Sequence, residues 1–207
     1  MSIFRPEGTE SNVSSSNFYG ICEIAIIDFE DKSSSWDWAD IYINVEVKQK
    51  GSDYTKQLRI AGSLDRDANG KVSGGSVLKR VYHFFDVIGE TAGMNIDGGW
   101  EDDSGKAIKN IASYLSDKHS APFIPDGDVS DFDYLAYVYK EKPKQKGGKV
   151  YSRVFHRIYP NNATGKTKLE SDVKWFKEKG FIKEANDSDI STPEKSVHLS
   201  SSGLGNL

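Results

Sequence analysis

Ala39-Asp-Ile-Tyr-Ile-Asn-Val-Glu-Val-Lys48 alternates without a break. Ile41, Ile43, Val45 and Val47 fall on one side, and Asp40, Tyr42, Asn44, Glu46 and Lys48 on the other. Successive side chains of a strand point to opposite faces, so this is a strand with one buried face. Upstream, Tyr19–Phe29 is apolar on both faces. Ile21, Ala25, Ile27 and Phe29 stand against Cys22, Ile24 and Ile26, the pattern of a central strand. Glu30–Trp38 is the loop between them and holds Trp36 and Trp38. Downstream, Gly51 closes a hairpin and Tyr54–Ala61 returns; Asp65–Gly70 is a turn.

Two helical patterns follow. Ser76 can cap a segment whose Val77, Val81, Phe84, Phe85 and Ile88 form one stripe, with Gly89 as its stop. Ser104 can cap another, with Ile108, Ile111, Ala112 and Leu115 inward; the Gly-rich acidic stretch Gly93–Asp103 reads as a loop. After Pro122 and Pro125, Phe132–Glu141 and Val150–Tyr159 read as strands joined by the basic tip Lys142–Gly148. Thr167-Lys168-Leu169-Glu170 is a capping box for a last helix, with Leu169, Val173 and Phe176 inward and Gly180 as its end. The expected fold is mainly β with helices (α+β). Its core is an OB-like, five-stranded, partly open barrel with a helical insertion between strands three and four and a C-terminal helix. Residues 1–17 read as a flexible arm, 18–183 as a single domain and 184–207 as a disordered polar tail.

Composition narrows the function. The 207 residues contain no apolar run near the roughly 18–20 that a membrane span needs. Met1–Gly20 lacks the apolar stretch of a signal peptide, so a cytoplasmic protein without membrane contact is expected. The single Cys22 excludes an intramolecular disulfide, and His83, His119, His156 and His198 show no metal-ligand spacing. The net charge of −4 is unevenly spread: −10 over Met1–Asp133, +9 over Tyr134–Lys183 and −3 over Glu184–Leu207. A basic block inside an acidic chain is a localised footprint for a polyanion. It is equally what results if the segments neutralise each other across the fold.

Val150–Tyr159 carries the chemistry. One face reads Tyr151, Arg153, Phe155, Arg157 and Tyr159; the other reads Val150, Ser152, Val154, His156 and Ile158. Rings that stack on bases, interleaved with cations for phosphates, suit a single-stranded nucleic acid. The competing reading places the same rings under a second layer, with the arginines reaching out to water. The two loops that such barrels use for ligands correspond to Trp36 and Trp38 on one side and Lys142, Lys144, Lys146 and Lys149 on the other. Tyr137 and Tyr139 on the neighbouring strand extend the aromatic face.

Over roughly residues 1–185 the chain resembles a family of small phage replication-module proteins that bind single-stranded DNA through an OB-like core. The likeness rests on the polar start, the Tyr19–Phe29 and Trp38–Lys48 strand pair and the helix between sheet halves. It rests also on the late Tyr/Arg hairpin and on Trp175-Phe176-Lys177-Glu178-Lys179-Gly180-Phe181-Ile182-Lys183. It implies sequence-tolerant binding of single strands in phage DNA replication or recombination, with phage replication proteins as partners. The end, Ser200–Leu207, departs from the acidic, aromatic-tipped tail of many such proteins, which puts tail-mediated recruitment in doubt.

Other motifs are incomplete. Gly165-Lys166-Thr167 resembles a phosphate loop, but Pro160 stands where its first glycine belongs. Asp65–Gly70 matches half of a calcium loop whose twelfth position is Ser76 instead of Glu. Asp126, Asp128, Asp131 and Asp133 read as a solvated acidic loop. Glu46-Val47-Lys48 with Asp28 or Asp40 upstream resembles a Mg²⁺-dependent nuclease pattern, in which the carboxylates hold the metal and Lys48 orients water. The reading adopted is a non-enzymatic binder without metal or cofactor. The nuclease, or a protein-interaction or virion module, is the alternative.

Overall fold

The computed structural model describes residues 18–121, 129, 131–145 and 148–186. The expectations for 1–17, Pro122, Pro125, Asp126, Asp128, Lys146 and 187–207 lie outside these residues. Strand β1 (Gly20–Asp31) pairs with β2 (Ile41–Gln49), and β2 with β3 (Thr55–Gly62), all antiparallel. The alternation on β2 holds throughout: Ile41, Ile43, Val45 and Val47 are buried in the main core. On β1 the alternation breaks. A bulge lies between Ile26 and Asp28, so Phe29 joins Cys22, Ile24 and Ile26 on the core face, contrary to the simple two-face reading. Cys22 is buried there as a small hydrophobe, and Gln49 Nε2 donates a hydrogen bond to its sulfur.

A short hairpin, β4 (Asp65–Arg66) and β5 (Val72–Gly74), leads to helix α1 (Ser76–Ile88). Ser76 is the first helical residue and not the cap. The cap is Gly75, whose φ of +137° is strained for any side chain. The stretch expected as a loop, Gly93–Asp103, contributes instead to a small sheet of β6 (Gly93–Met94), β7 (Trp100–Glu101) and β8 (Ala107–Ile108). A shared turn chemistry builds these hairpins. The side-chain oxygens of Asp67, Asn95 and Asp102 each accept two backbone N–H groups further along the chain, and a glycine with positive φ follows at 70, 98 and 105. Ser104 therefore belongs to a turn. Helix α2 (Ile111–His119) begins later, capped by Asn110, whose side chain accepts from the Ser113 N–H.

Strand β9 (Tyr134–Glu141) pairs with β1 on the side away from β2, and β10 (Tyr151–Pro160) pairs with β9. The main sheet has the order β10-β9-β1-β2-β3, which places β1 at its centre. The fold is thus α+β with an antiparallel five-stranded sheet, and the sheet is not closed. Its two edges, β3 and β10, approach within 8 Å between Cα atoms but share no ladder. One face packs on α1 and α2 through Val81, Phe84, Phe85 and Leu115. The other carries helix α3 (Ala163–Glu178) over β9 and β10. Asn162, and not Thr167, caps α3 by accepting from the Gly165 N–H. Gly165-Lys166-Thr167 therefore lies inside the helix. After it, Glu184 bridges to Glu141 and the Ala185 N–H donates to the Lys140 carbonyl, so these tail residues run along β9.

Candidate functional site

Helix α3 decides what the Tyr/Arg face of β10 can do. A second buried cluster, Leu135, Phe155, Leu169, Val173 and Ile182, glues the helix to the outer sheet face. Phe155 is 3% exposed and meets the Phe176 ring edge-on at 5.0 Å, so it has no face to offer a base. Arg157 donates to Asp172 on α3 at 2.7 Å, and the Tyr159 hydroxyl donates to the same carboxylate at 2.6 Å. Burial, followed by that hydrogen bond, pushes the Tyr159 phenol up to about 12. Tyr137 and Tyr139 stack on each other, half-buried; the Tyr137 hydroxyl donates to Glu184 and accepts from Lys177. Phe155, Arg157, Tyr159 and Tyr137 are therefore structural contacts of α3. The alternation that exposes them in the sequence is real, but a helix covers the face.

What the cover leaves open is a cleft of about 650 Å³ where the sheet fails to close. Gln57 and Arg59 of β3 line one side, with Ser76, Lys79 and Arg80 from the start of α1. Arg153, His156 and Arg157 of β10 line the other, and Trp175 and Phe176 from the end of α3, with Phe181 just after it, form a rim. No aspartate or glutamate lines it among the described residues. Trp175 is 48% and Phe181 67% exposed; the two rings stack at 6.0 Å with 24° between their planes. The guanidinium of Arg157 sits 5.1 Å from the Phe176 ring centre.

Its cations differ in what holds them. Arg153 donates to Glu141 at 2.7 Å, and Arg157 is bound to Asp172. Arg80 donates to the carbonyls of Ala61 at 2.8 Å and Ser76 at 3.4 Å, and burial lowers its pKa. Arg59 and Lys79 are exposed and form no ion pair among the described residues. The Arg157 Nε is buried without a hydrogen-bond partner. His156 is pushed down to about 4, first by burial and then by Arg80, Arg157 and His83. It is neutral at pH 7.

Of the residues picked from sequence, Tyr139, Arg153, Phe155 and Arg157 line this cleft. Tyr151 is exposed beside it, with Arg153 over its ring at 5.9 Å. Lys142, Lys144 and Lys149 are exposed on the β9–β10 connection, outside the cleft lining. Trp36 and Trp38 lie apart from it, packed on Tyr42. Sequence reading missed Arg59, Lys79, Arg80, Trp175 and Phe181. Trp175 did leave a signal, since it falls off the Leu169–Val173–Phe176 stripe.

A second cavity, of about 360 Å³, shares Gln57 with the cleft and is lined by Asp28, Glu30, Asn44 and Glu46. Asp28 faces Glu46 across the β1–β2 ladder. Ser116 donates to Asp28 at 2.6 Å, and Thr55 donates to Glu46 at 2.5 Å. Among the described residues, no three His, Cys, Asp or Glu side chains converge to hold a metal ion. No described helix is long and apolar enough to cross a membrane. No protein-family model matches the chain, and no curated protein or solved structure matches it either.

Proposed function

We propose that the protein binds single-stranded nucleic acid in the cleft between β3, α1, β10 and the end of α3, tolerant of sequence and without catalysis. One observation carries the reading: five cations and an exposed Trp–Phe pair line a single cleft that, among the described residues, no carboxylate lines. Stacking on Trp175 and Phe181 and phosphate pairing with Arg59, Lys79 and Arg80 need no particular base. The architecture supports it as well. The strand order, the helices between β3 and β9, and a gap between β3 and β10 are what a partly open OB-type barrel would have. The resemblance to phage proteins makes DNA, in replication or recombination within an infected cell's cytoplasm, the substrate setting. The contact residues overlap only in part with those that the strand pattern suggests: Arg153 and Arg157 line the cleft, whereas Phe155, Tyr159 and Tyr137 dock α3.

Anisotropy of a labelled dT oligonucleotide, with tryptophan fluorescence followed in parallel, tests this. Binding should quench Trp175, and Trp175→Ala should weaken it by about 1–3 kcal/mol. Phe155→Ala should instead cost about 3–5 kcal/mol of folding stability, because it empties the joint under α3. No binding at low salt, or binding indifferent to Trp175→Ala, would overturn the reading.

The apposition of Asp28 and Glu46 favours a second reading, the Mg²⁺-dependent nuclease with Lys48. Mg²⁺-dependent strand cleavage, lost in Lys48→Ala, would establish it.

A further inference from the structure

His156 is the titratable group that the binding reading leaves unused. It lies in the cleft wall, its ring edge-on to Phe155 at 4.5 Å and to Phe176 at 5.3 Å, and it makes no hydrogen bond among the described residues. The groups acting on it come from three elements. Arg80 and His83 belong to α1, Arg157 to its own strand and Asp172 to α3. Asp172 is already bound to Arg157 and Tyr159. The first turn of α1, which also borders the cleft at Ser76, has a glycine cap and no side-chain hydrogen bond to its N–H groups. Such N–H groups favour an anion.

We propose that the inner wall of the cleft is a phosphate subsite, in which Arg80, Arg157 and His156 together hold one phosphate group and His156 takes up a proton as the site fills. The inference rests on the single-strand reading and adds to it a residue and a pH response. The physical reason is linkage. In the free protein, burial followed by Arg80, Arg157 and His83 disfavours an imidazolium at this position. A phosphate between the same arginines supplies the missing negative charge and reverses the balance. A ligand that raises a group's pKa binds more tightly as pH falls, by up to tenfold per pH unit between the bound-state and free-state values. The buried, unpartnered Nε of Arg157 fits a wall not optimised for the empty state.

The test uses the full chain and a dT oligonucleotide, because thymine has no group that titrates between pH 5 and 8. Affinity at fixed ionic strength should tighten at least about fivefold from pH 8 to pH 5.5. His156→Gln should flatten that response to less than about twofold. An NMR titration of the His156 ring protons in the unaltered chain, free and bound, should show the midpoint rising on binding. This measurement decides the matter even if the variant does not fold. Binding that is independent of pH, with an unmoved His156 midpoint, overturns the subsite and leaves the cleft reading standing. Absence of binding at both pH values overturns the cleft reading itself.

Discussion

Replacing Arg59 and Lys79 together by alanine should change how binding responds to salt more than it changes the fold. Both side chains are exposed and form no ion pair among the described residues, so their loss leaves no buried carboxylate unpaired. Each phosphate contacted on a single strand contributes about −0.7 to the slope of log affinity against log salt. The cleft holds five cations, of which Arg153 and Arg157 are already engaged by Glu141 and Asp172. Three to five contacts then give a slope of roughly −2 to −3.5. Between 50 and 200 mM salt, that is a loss of about 20- to 130-fold in affinity. The double variant should reduce the slope by about 1.4 and barely move the urea midpoint. The assay is anisotropy of a labelled dT oligonucleotide at four or five salt concentrations, for both proteins. A wild-type slope shallower than about −1, or an identical slope in the double variant, would refute the assignment of phosphates to this cleft.

Two further predictions concern the scaffold. Glu90, with a side chain 1% exposed, accepts from the Thr91 and Ala92 N–H groups and lies 2.9 Å from His119 Nε2. Burial pushes its pKa up, but these hydrogen bonds outweigh it and bring it down to about 2. Charged Glu90 therefore adds about 3 kcal/mol above its ordinary pKa, a contribution lost as pH falls towards 2. Glu90→Gln should lose roughly that much at pH 7 in urea unfolding, and its deficit should shrink to about 2 kcal/mol at pH 3.5; a deficit constant across this range would contradict the linkage. A Cβ at Gly165 would stand 2.1 Å from the Pro160 carbonyl oxygen, so Gly165→Ala should displace the start of α3 and cost about 1–3 kcal/mol. Unchanged stability in thermal unfolding would mean that the helix docks less tightly than described.

Much of the fold was legible, because hydrophobic period is a local signal. The alternation on β2, the stripe of α1 and the central place of β1 follow from residues within a single element. The errors have tertiary or turn-level causes. The bulge after Ile26 shifts Phe29 to the core face, which no period of two anticipates. Two Asx-type turns, at Asn95 and Asp102, made strands of a glycine-rich stretch that reads as loop. The site was less legible still. On β10 the polar-aromatic face is in the sequence, but whether it meets water depends on where α3 lies. Arg59 looks like an ordinary outward residue until topology sets β3 beside β10. The basic block contributes Arg153 and Arg157 to the cleft, and its ion pairs among the described residues include Arg153–Glu141, Arg157–Asp172 and Lys177–Glu184.

The cleft is hard to explain as a product of folding stability. Trp175 stays half-exposed and Phe181 largely exposed, although burying such side chains fully is worth about 1.5–3 kcal/mol each. An unpartnered buried N–H on Arg157 costs about 1–3 kcal/mol more. The chain has 31 acidic residues, yet among the described residues none enters the space between Arg59, Lys79, Arg80, Arg153 and Arg157. Carboxylates do cluster one cavity away, at Asp28, Glu30 and Glu46. Charges of one sign gathered in a cleft, with the opposite sign held beside it, raise the field that a polyanion meets at its entrance. The proposed ligand, anionic along its length and flat at intervals, would offset each of these costs at once: it would cover the rings, pair with the cations and be turned away by the carboxylates next door.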